Sequence, residues 1–190
     1  MFPEFDSIRY EPQPFEHFVG QCKMTGTWDE SLSWLEGDAP WEFTATDFYE
    51  QYEFSLLHAP LAPVVARLAC PETLASVRRW MARQFGQPLS ERVEVTAHKL
   101  TAGQTIRIHN DFLPEGESHR LLLQLNRGWK PEYGGYLMFF DGPEPETVSK
   151  VIEPIHGSVQ AFAISTRSYH AVSTVHRGER FTVVYSFHAI

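Results

Sequence analysis

The chain is poor in cysteine, in positive charge and in long apolar runs, and each shortage excludes something. Only Cys22 and Cys70 occur in 190 residues, far apart and without the spacing of a metal finger. That excludes a disulfide-stapled scaffold, leaves room for one bridge at most, and favours a reducing compartment. Lys and Arg number 16 against 24 Asp and Glu, a formal net charge of -8. Such a balance argues against a general affinity for nucleic acid or anionic membranes, which need a basic surface. No apolar run is long enough to span a bilayer, and no signal-peptide h-region opens the chain. The expectation is a soluble, cytoplasmic protein with neither a nucleic-acid nor a membrane partner. Repeats, low-complexity tracts and linkers are also missing, and the length suits one domain over residues 1–190.

What is present is a generous aromatic share, 14% of residues in a chain that is 43% hydrophobic, enough for a sizeable core. Three of the five tryptophans, Trp28, Trp34 and Trp41, fall in residues 1–60, followed by the run Phe48-Tyr49, Tyr52 and Phe54. Asp47 stands where it could cap a short helix over that run. Residues 1–90 read as a helical and aromatic support region. Their best helix is Pro71 to Phe85, with proline in the first turn, Leu74, Val77, Trp80, Met81 and Phe85 at helical spacing, and Gly86 as the stop. A shorter helix is expected over Val64 to Leu68.

After Ser90 the pattern changes to short β-rich runs separated by turn residues. Strands are expected at Val93–Leu100, Thr105–His109, Arg120–Asn126, Tyr136–Phe140, Lys150–Ile152, Ser158–Phe162, His170–Ser173 and Phe181–Phe187. Eight short strands behind one good helix indicate a mainly β (α+β) barrel or sandwich with helical support.

One of these strands carries chemistry. Alternate side chains of Thr105–His109 share a face, so Thr105, Arg107 and His109 should point one way and Ile106 and Ile108 the other, against the body. His109 and Asp111 form a His-x-Asp step, two of the three ligands of a facial Fe(II) site if a second His arrives from elsewhere. On the last strand Phe181, Val183, Tyr185 and Phe187 read as the core row, which turns Arg180, Thr182, Val184 and Ser186 inward. His170 and Arg180 lie ten apart (180 − 170), a separation that a hairpin could set side by side on neighbouring strands. Imidazole, guanidinium and hydroxyl together could hold a ligand with a carboxylate at one end and a chelating group at the other.

Taken together, His109-Asn110-Asp111, His170-Ala171-Val172 and the Arg ten past that His resemble the signature of Fe(II)- and 2-oxoglutarate-dependent oxygenases. His119-Arg120 leading into Leu121–Asn126, Gly134-Gly135-Tyr136-Leu137 and Pro154 to Phe162 resemble the prolyl-hydroxylase-like branch. The resemblance covers roughly residues 90–190. It implies a double-stranded β-helix (jelly-roll) core over 91–190, iron held by His109, Asp111 and His170, and 2-oxoglutarate anchored on Arg180. Oxygen is the co-oxidant it implies, with ascorbate supportive, and a metal-binding carboxylate at Asp111 implies hydroxylation rather than halogenation. The branch often places tyrosines where this chain has Gln124 and, on the strand before His109, His98 and Lys99. Gln124, His98 and Thr182 are therefore the candidate polar partners of 2-oxoglutarate, and Arg107 and Arg120 the candidate substrate contacts. The expected substrate is an amino acid or a residue in a peptide, with Trp41, Tyr49 or Tyr52 closing over the open side. The alternatives are a same-fold oxidative demethylase of nucleic acid or small molecules, or a non-catalytic cupin-like metal barrel.

Overall fold

The computed structural model describes residues 5–23 and 26–190. In chain order the elements are β1 (Phe5–Glu11), β2 (His17–Cys22), α1 (Gly26–Gly37), β3 (Glu42–Ala45), β4 (Glu50–Ser55), α2 (Pro63–Ala66) and α3 (Pro71–Phe85). Then follow β5 (Leu89–Thr101), β6 (Ile106–His109), β7 (His119–Gln124), β8 (Leu137–Phe140), β9 (Val148–Ile152), β10 (Ser158–Ala163), β11 (His170–Val172) and β12 (Glu179–Ala189). All eight strands expected after Ser90 are present, as is the long helix, which Gly86 closes in the left-handed conformation at φ 66°.

The strands form two antiparallel sheets. The larger runs β1-β2-β10-β7-β12-β5-β4-β3 and the smaller β6-β11-β8-β9. β5 to β12 supply the two facing four-stranded halves of a double-stranded β-helix, and β1–β4 widen the larger sheet at both edges. Strand parity divides the core. On β7, Leu121 and Leu123 face the helices while Leu122 faces the smaller sheet. On β12, Phe181, Val183, Tyr185 and Phe187 join Val77 and Met81 of α3 and Leu32 and Leu35 of α1, as the alternation of that strand requires. Val184 faces the opposite way and joins Leu137, Phe139, Phe162 and Val172 between the sheets.

Three expectations are corrected. The aromatic run after Asp47 is not a helix but β4, which pairs with β5 through Tyr52↔Lys99, Glu53↔His98 and Phe54↔Ala97. Pairing to an open sheet edge outweighs a lone capping residue. The support region is also not mainly helical, since four strands lie in it. His170 and Arg180 are not on neighbouring strands: β11 pairs with β6 and β8, and β12 with β5 and β7, so they face each other from opposite sheets.

His119, on the helix side of β7, is 2% exposed, and its ring lies 4.7 Å from that of Phe85. Burial pushes its pKa down to about 4 from 6.5. Between those values the unfolded chain takes up a proton that the folded one refuses, so stability falls as pH falls through that window. The slope approaches 1.4 kcal/mol per pH unit for one such group. The metal-free protein should therefore melt at progressively lower temperature from pH 7 to pH 5. His119→Gln should flatten that dependence; an equally steep curve would remove His119 as its source.

Candidate active site

The two sheets enclose a cavity of about 300 Å³. Three residues converge on it from the smaller sheet and the turn beyond β6. His109 Nε2 lies 3.3 Å from Asp111 Oδ1, and His170 Nε2 lies 3.1 Å from Asp111 Oδ2. One ligand atom from each of the three falls within 4.8 Å of the others. Both rings are oriented from behind, His109 Nδ1 by the Arg107 carbonyl at 2.8 Å and His170 Nδ1 by the Ser168 carbonyl at 2.7 Å. A proton held on each Nδ1 leaves Nε2 with its lone pair toward the cavity, the usual outer-shell support of a metal-binding histidine.

Asp111 adopts φ 57°, in the left-handed region that non-glycine residues seldom occupy outside functional sites. The turn is tied down by neighbours: Asn110 accepts from Phe112 N, and Ser168 Oγ donates to the Asn110 carbonyl at 2.9 Å. That second bond links the His-x-Asp turn to the loop leading into His170. Arg120 Nη1 donates to Asp111 Oδ2 at 2.5 Å, and its other nitrogens reach Glu117. Burial pushes the Asp111 carboxyl up, but Arg120 and the two imidazoles more than reverse this and hold it well below the usual carboxylate range. His170, by contrast, has its pKa lowered by burial, which favours the neutral, ligating form.

Across the cavity stands Arg180, 3% exposed. Its Nε donates to the Gly135 carbonyl at 2.8 Å and its Nη1 to Thr182 Oγ1 at 2.7 Å; Thr182 Oγ1 in turn donates to Gln124 Oε1 at 2.9 Å. Among the described residues no carboxylate pairs with it, and burial alone lowers its pKa to about 9. A buried guanidinium so placed lacks an anion, and a carboxylate would complete it. Gly135, at φ 68°, must be glycine for this: a Cβ there would come within 3.0 Å of Arg180 Cδ.

The expected residues divide clearly. The cavity wall includes His109, Asp111, His170, Arg180, Thr182, His98 and Arg120, with Gln124 behind Thr182. Arg107 is the exception and a correction. From Ile106 to His109 takes three steps in β6 against two in β11, where Val172 pairs with Ile106 and His170 with His109. That one-residue bulge turns Ile106 and His109 to the cavity and Arg107 out. Arg107 is exposed, donates to the Asp47 carbonyl at 3.3 Å, and lines a separate recess with Thr46 to Glu50 and Gly103 to Thr105. Of the three aromatics expected to close the open side, Tyr49 lines the cavity. Trp41 packs instead against Phe54 and Phe181, and Tyr52 against Phe43 with Lys99 above it. Wall residues to which the sequence assigned no role include Phe48, whose ring lies 4.6 Å from that of His109, and Gln51, Glu53, Glu94 and Glu117. The alternation of Gln51 and Glu53 was their signal, hidden by the helical reading of 48–54.

The sequence profile of the 2OG-Fe(II) oxygenase superfamily matches residues 94–188, half the chain and every strand that shapes the cavity apart from β4. The chain belongs to the 2OG-Fe(II) oxygenase superfamily. Among its relatives is prolyl 3-hydroxylase OGFOD1 of Mus musculus, 25% identical over 180 residues, or 90% of this chain. The oxygenase spans only 32% of that relative's length. Its fold is also that of a Pseudomonas putida prolyl-4-hydroxylase, with TM-score 0.69, 18% identity, and 86% of this chain and 84% of that one covered. A Trichoplax adhaerens prolyl hydroxylase, solved with a peptide fragment of a hypoxia-inducible factor oxygen degradation domain, gives TM-score 0.69 at 14% identity over 86% and 77% of the chains. The family's iron and 2-oxoglutarate fit the residues present. The His-Asp-His donor set suits Fe(II), and the unpaired buried Arg180 suits the cosubstrate's distal carboxylate.

Proposed function

We propose that the oxygenase hydroxylates an amino-acid residue within a peptide or protein, a prolyl residue being the first candidate. The observation that carries this reading is one cavity holding a complete His-Asp-His set and, on the facing sheet, a buried arginine with no acid partner among the described residues. The names of the relatives, three of them prolyl hydroxylases, support the peptide substrate.

The residues divide the work. His109, Asp111 and His170 would hold Fe(II) through Nε2, carboxylate and Nε2, and Arg120 keeps the carboxylate charged and aimed. Arg180 would take the distal carboxylate of 2-oxoglutarate, with Thr182 and Gln124 fixing the guanidinium. Leu137, Phe162, Val172 and Val184 line the space between and keep it dry. The bound iron and cosubstrate, with O2, supply the oxidising power to hydroxylate an unactivated carbon. Tyr49, Glu53, Glu94 and Ser186 form the remaining wall available to substrate.

A nucleic-acid demethylase is disfavoured by that same wall, where Glu53, Glu94 and Glu117 would repel phosphates. No helix among the described residues is long and apolar enough to cross a membrane, and a sequence with only two cysteines suits a reducing, cytoplasmic setting. Incubation with Fe(II), ascorbate, 2-oxoglutarate and proline-containing peptides should give succinate and a product about 16 mass units heavier, one added oxygen. Oxidation confined to methylated nucleobases would replace the peptide reading with the demethylase one.

A further inference from the structure

Six side chains that carry formal charge line the cavity: Asp111, Glu53, Glu94, Glu117, Arg120 and Arg180. Most are compensated within the protein. Arg120 pairs with both Asp111 and Glu117, and Glu94 pairs with Arg92. Arg120 balances only one of its two acids, which leaves that group a net −1 that a bound Fe(II) would meet, and two opposite charges stand apart from it. Arg180 has no acid, and Glu53 has no lysine or arginine, among the described residues. The nearest basic group to Glu53 is His98 Nε2 at 3.9 Å, and burial holds that imidazole neutral, with a pKa of about 3.

Loading the site does not remove this asymmetry. Fe(II) brings two positive charges and 2-oxoglutarate two negative ones, so the sum of the cavity is unchanged. The distal carboxylate satisfies Arg180, and Glu53 is left as the uncompensated charge.

The surroundings of Glu53 hold a surplus acceptor as well as a surplus charge. Gln51, on the same face of β4, is 2% exposed and lines the cavity. Its Nε2 donates to Glu53 Oε2 at 2.6 Å and approaches His98 Nδ1 at 3.3 Å. Its Oε1 has no hydrogen-bond partner. A buried acceptor left unpaired is costly, and beside a carboxylate it calls for a group rich in N–H donors. Position fits a substrate rather than the cosubstrate. Glu53 pairs with His98, and His98 with Thr182, so Glu53 stands two strands from the Arg180–Thr182 end, roughly 10 Å away across the sheet. Tyr49, just before β4 and bridged to Ile106 of β6, lines the same cavity.

We propose that Glu53, with Gln51, is a specificity-determining site that receives a positively charged group of the substrate, a lysyl or arginyl side chain close to the residue oxidised. The proposal rests on the reading of the oxygenase as a peptide hydroxylase, and it deepens that reading to a basic sequence context.

Binding separates the two readings. Protein loaded with Mn(II) and 2-oxoglutarate, which does not turn over, is titrated against fluorescent peptides of one length in which proline is flanked by lysine, serine or glutamate. The lysine peptide should bind about tenfold more tightly than the serine peptide, the discrimination expected of one charge-assisted hydrogen-bonded contact. Glu53→Gln should bring that ratio close to one, and Glu53→Lys should invert it towards the glutamate peptide. Glu146→Gln, which removes an exposed acid elsewhere, should leave the ratio intact, separating a local site from the general pull of a chain of net charge -8. Metal and 2-oxoglutarate affinities report whether each variant is folded. A lysine preference that survives Glu53→Gln, or no preference in the wild type, overturns the inference. Peptide hydroxylation without any charge preference overturns it while leaving the hydroxylase reading in place. Glu53-dependent binding of lysine peptides without any oxidised peptide would sustain the cation site and remove the hydroxylase reading.

Discussion

Replacing Arg180 with alanine is expected to weaken 2-oxoglutarate binding about a hundredfold while the metal still binds. A charge-assisted, two-pronged contact is worth on the order of 2–3 kcal/mol, and each 1.4 kcal/mol is a factor of ten. The split is expected because Arg180 stands on the sheet facing the three side chains proposed to bind the metal and touches none of them; its partners are Gly135 and Thr182. Lysine at 180 should recover only part of the loss, keeping a charge but not the planar fork. A second readout follows from burial. In the absence of 2-oxoglutarate Arg180 is a buried cation without an acid among the described residues, so Arg180→Met should melt no lower than the wild type. 2-Oxoglutarate at a hundred times its wild-type dissociation constant should stabilise the wild type by about 2.7 kcal/mol and the variant by only about 0.4 kcal/mol. An unchanged cosubstrate requirement in Arg180→Ala would place the anchor elsewhere.

Removal of any one of the three proposed metal ligands should abolish turnover without unfolding the protein. His109, Asp111 and His170 line a cavity, so truncating them opens no new void in the packed interior. Metal affinity should fall by more than about a hundredfold in His170→Ala, beyond the ten- to hundredfold typical of losing an outer-shell partner. Arg120→Leu provides that comparison, since its guanidinium touches Asp111 and not the imidazoles. It should bind Fe(II) or Mn(II) about ten- to a hundredfold more weakly and stay folded. Asp111→Ala carries an extra effect: it leaves Arg120 with Glu117 as its remaining acid. Full activity in His170→Ala would take that residue out of the metal set.

Much of this protein follows from its sequence alone, because local physics is written there. Proline at the start of α3, apolar residues at helical spacing and Gly86 at its end fix that helix whatever surrounds it. The strict alternation of β12 likewise decides that Arg180 and Thr182 face one side and Phe181, Val183 and Tyr185 the other, since an antiparallel strand between two partners has no freedom to slip. The His-x-Asp step and the later His and Arg could be picked out for the same reason, as fixed offsets along strands.

Tertiary structure decided what depends on partners distant in the chain. Residues 50–55 became β4 because the edge of β5 was open to them, and only then did Gln51 and Glu53 reach the cavity. Nothing in the composition of β6 announces its bulge. The mismatch with β11 exists only once the two strands pair, and it reversed the face on which Arg107 lies. The opposition of His170 and Arg180 is likewise a property of two sheets packed face to face, not of their separation by ten positions along the chain. A strand's alternation tells which side chains share a face; which face meets the cavity is settled by register and sheet assignment, and those are fixed by residues far away along the chain.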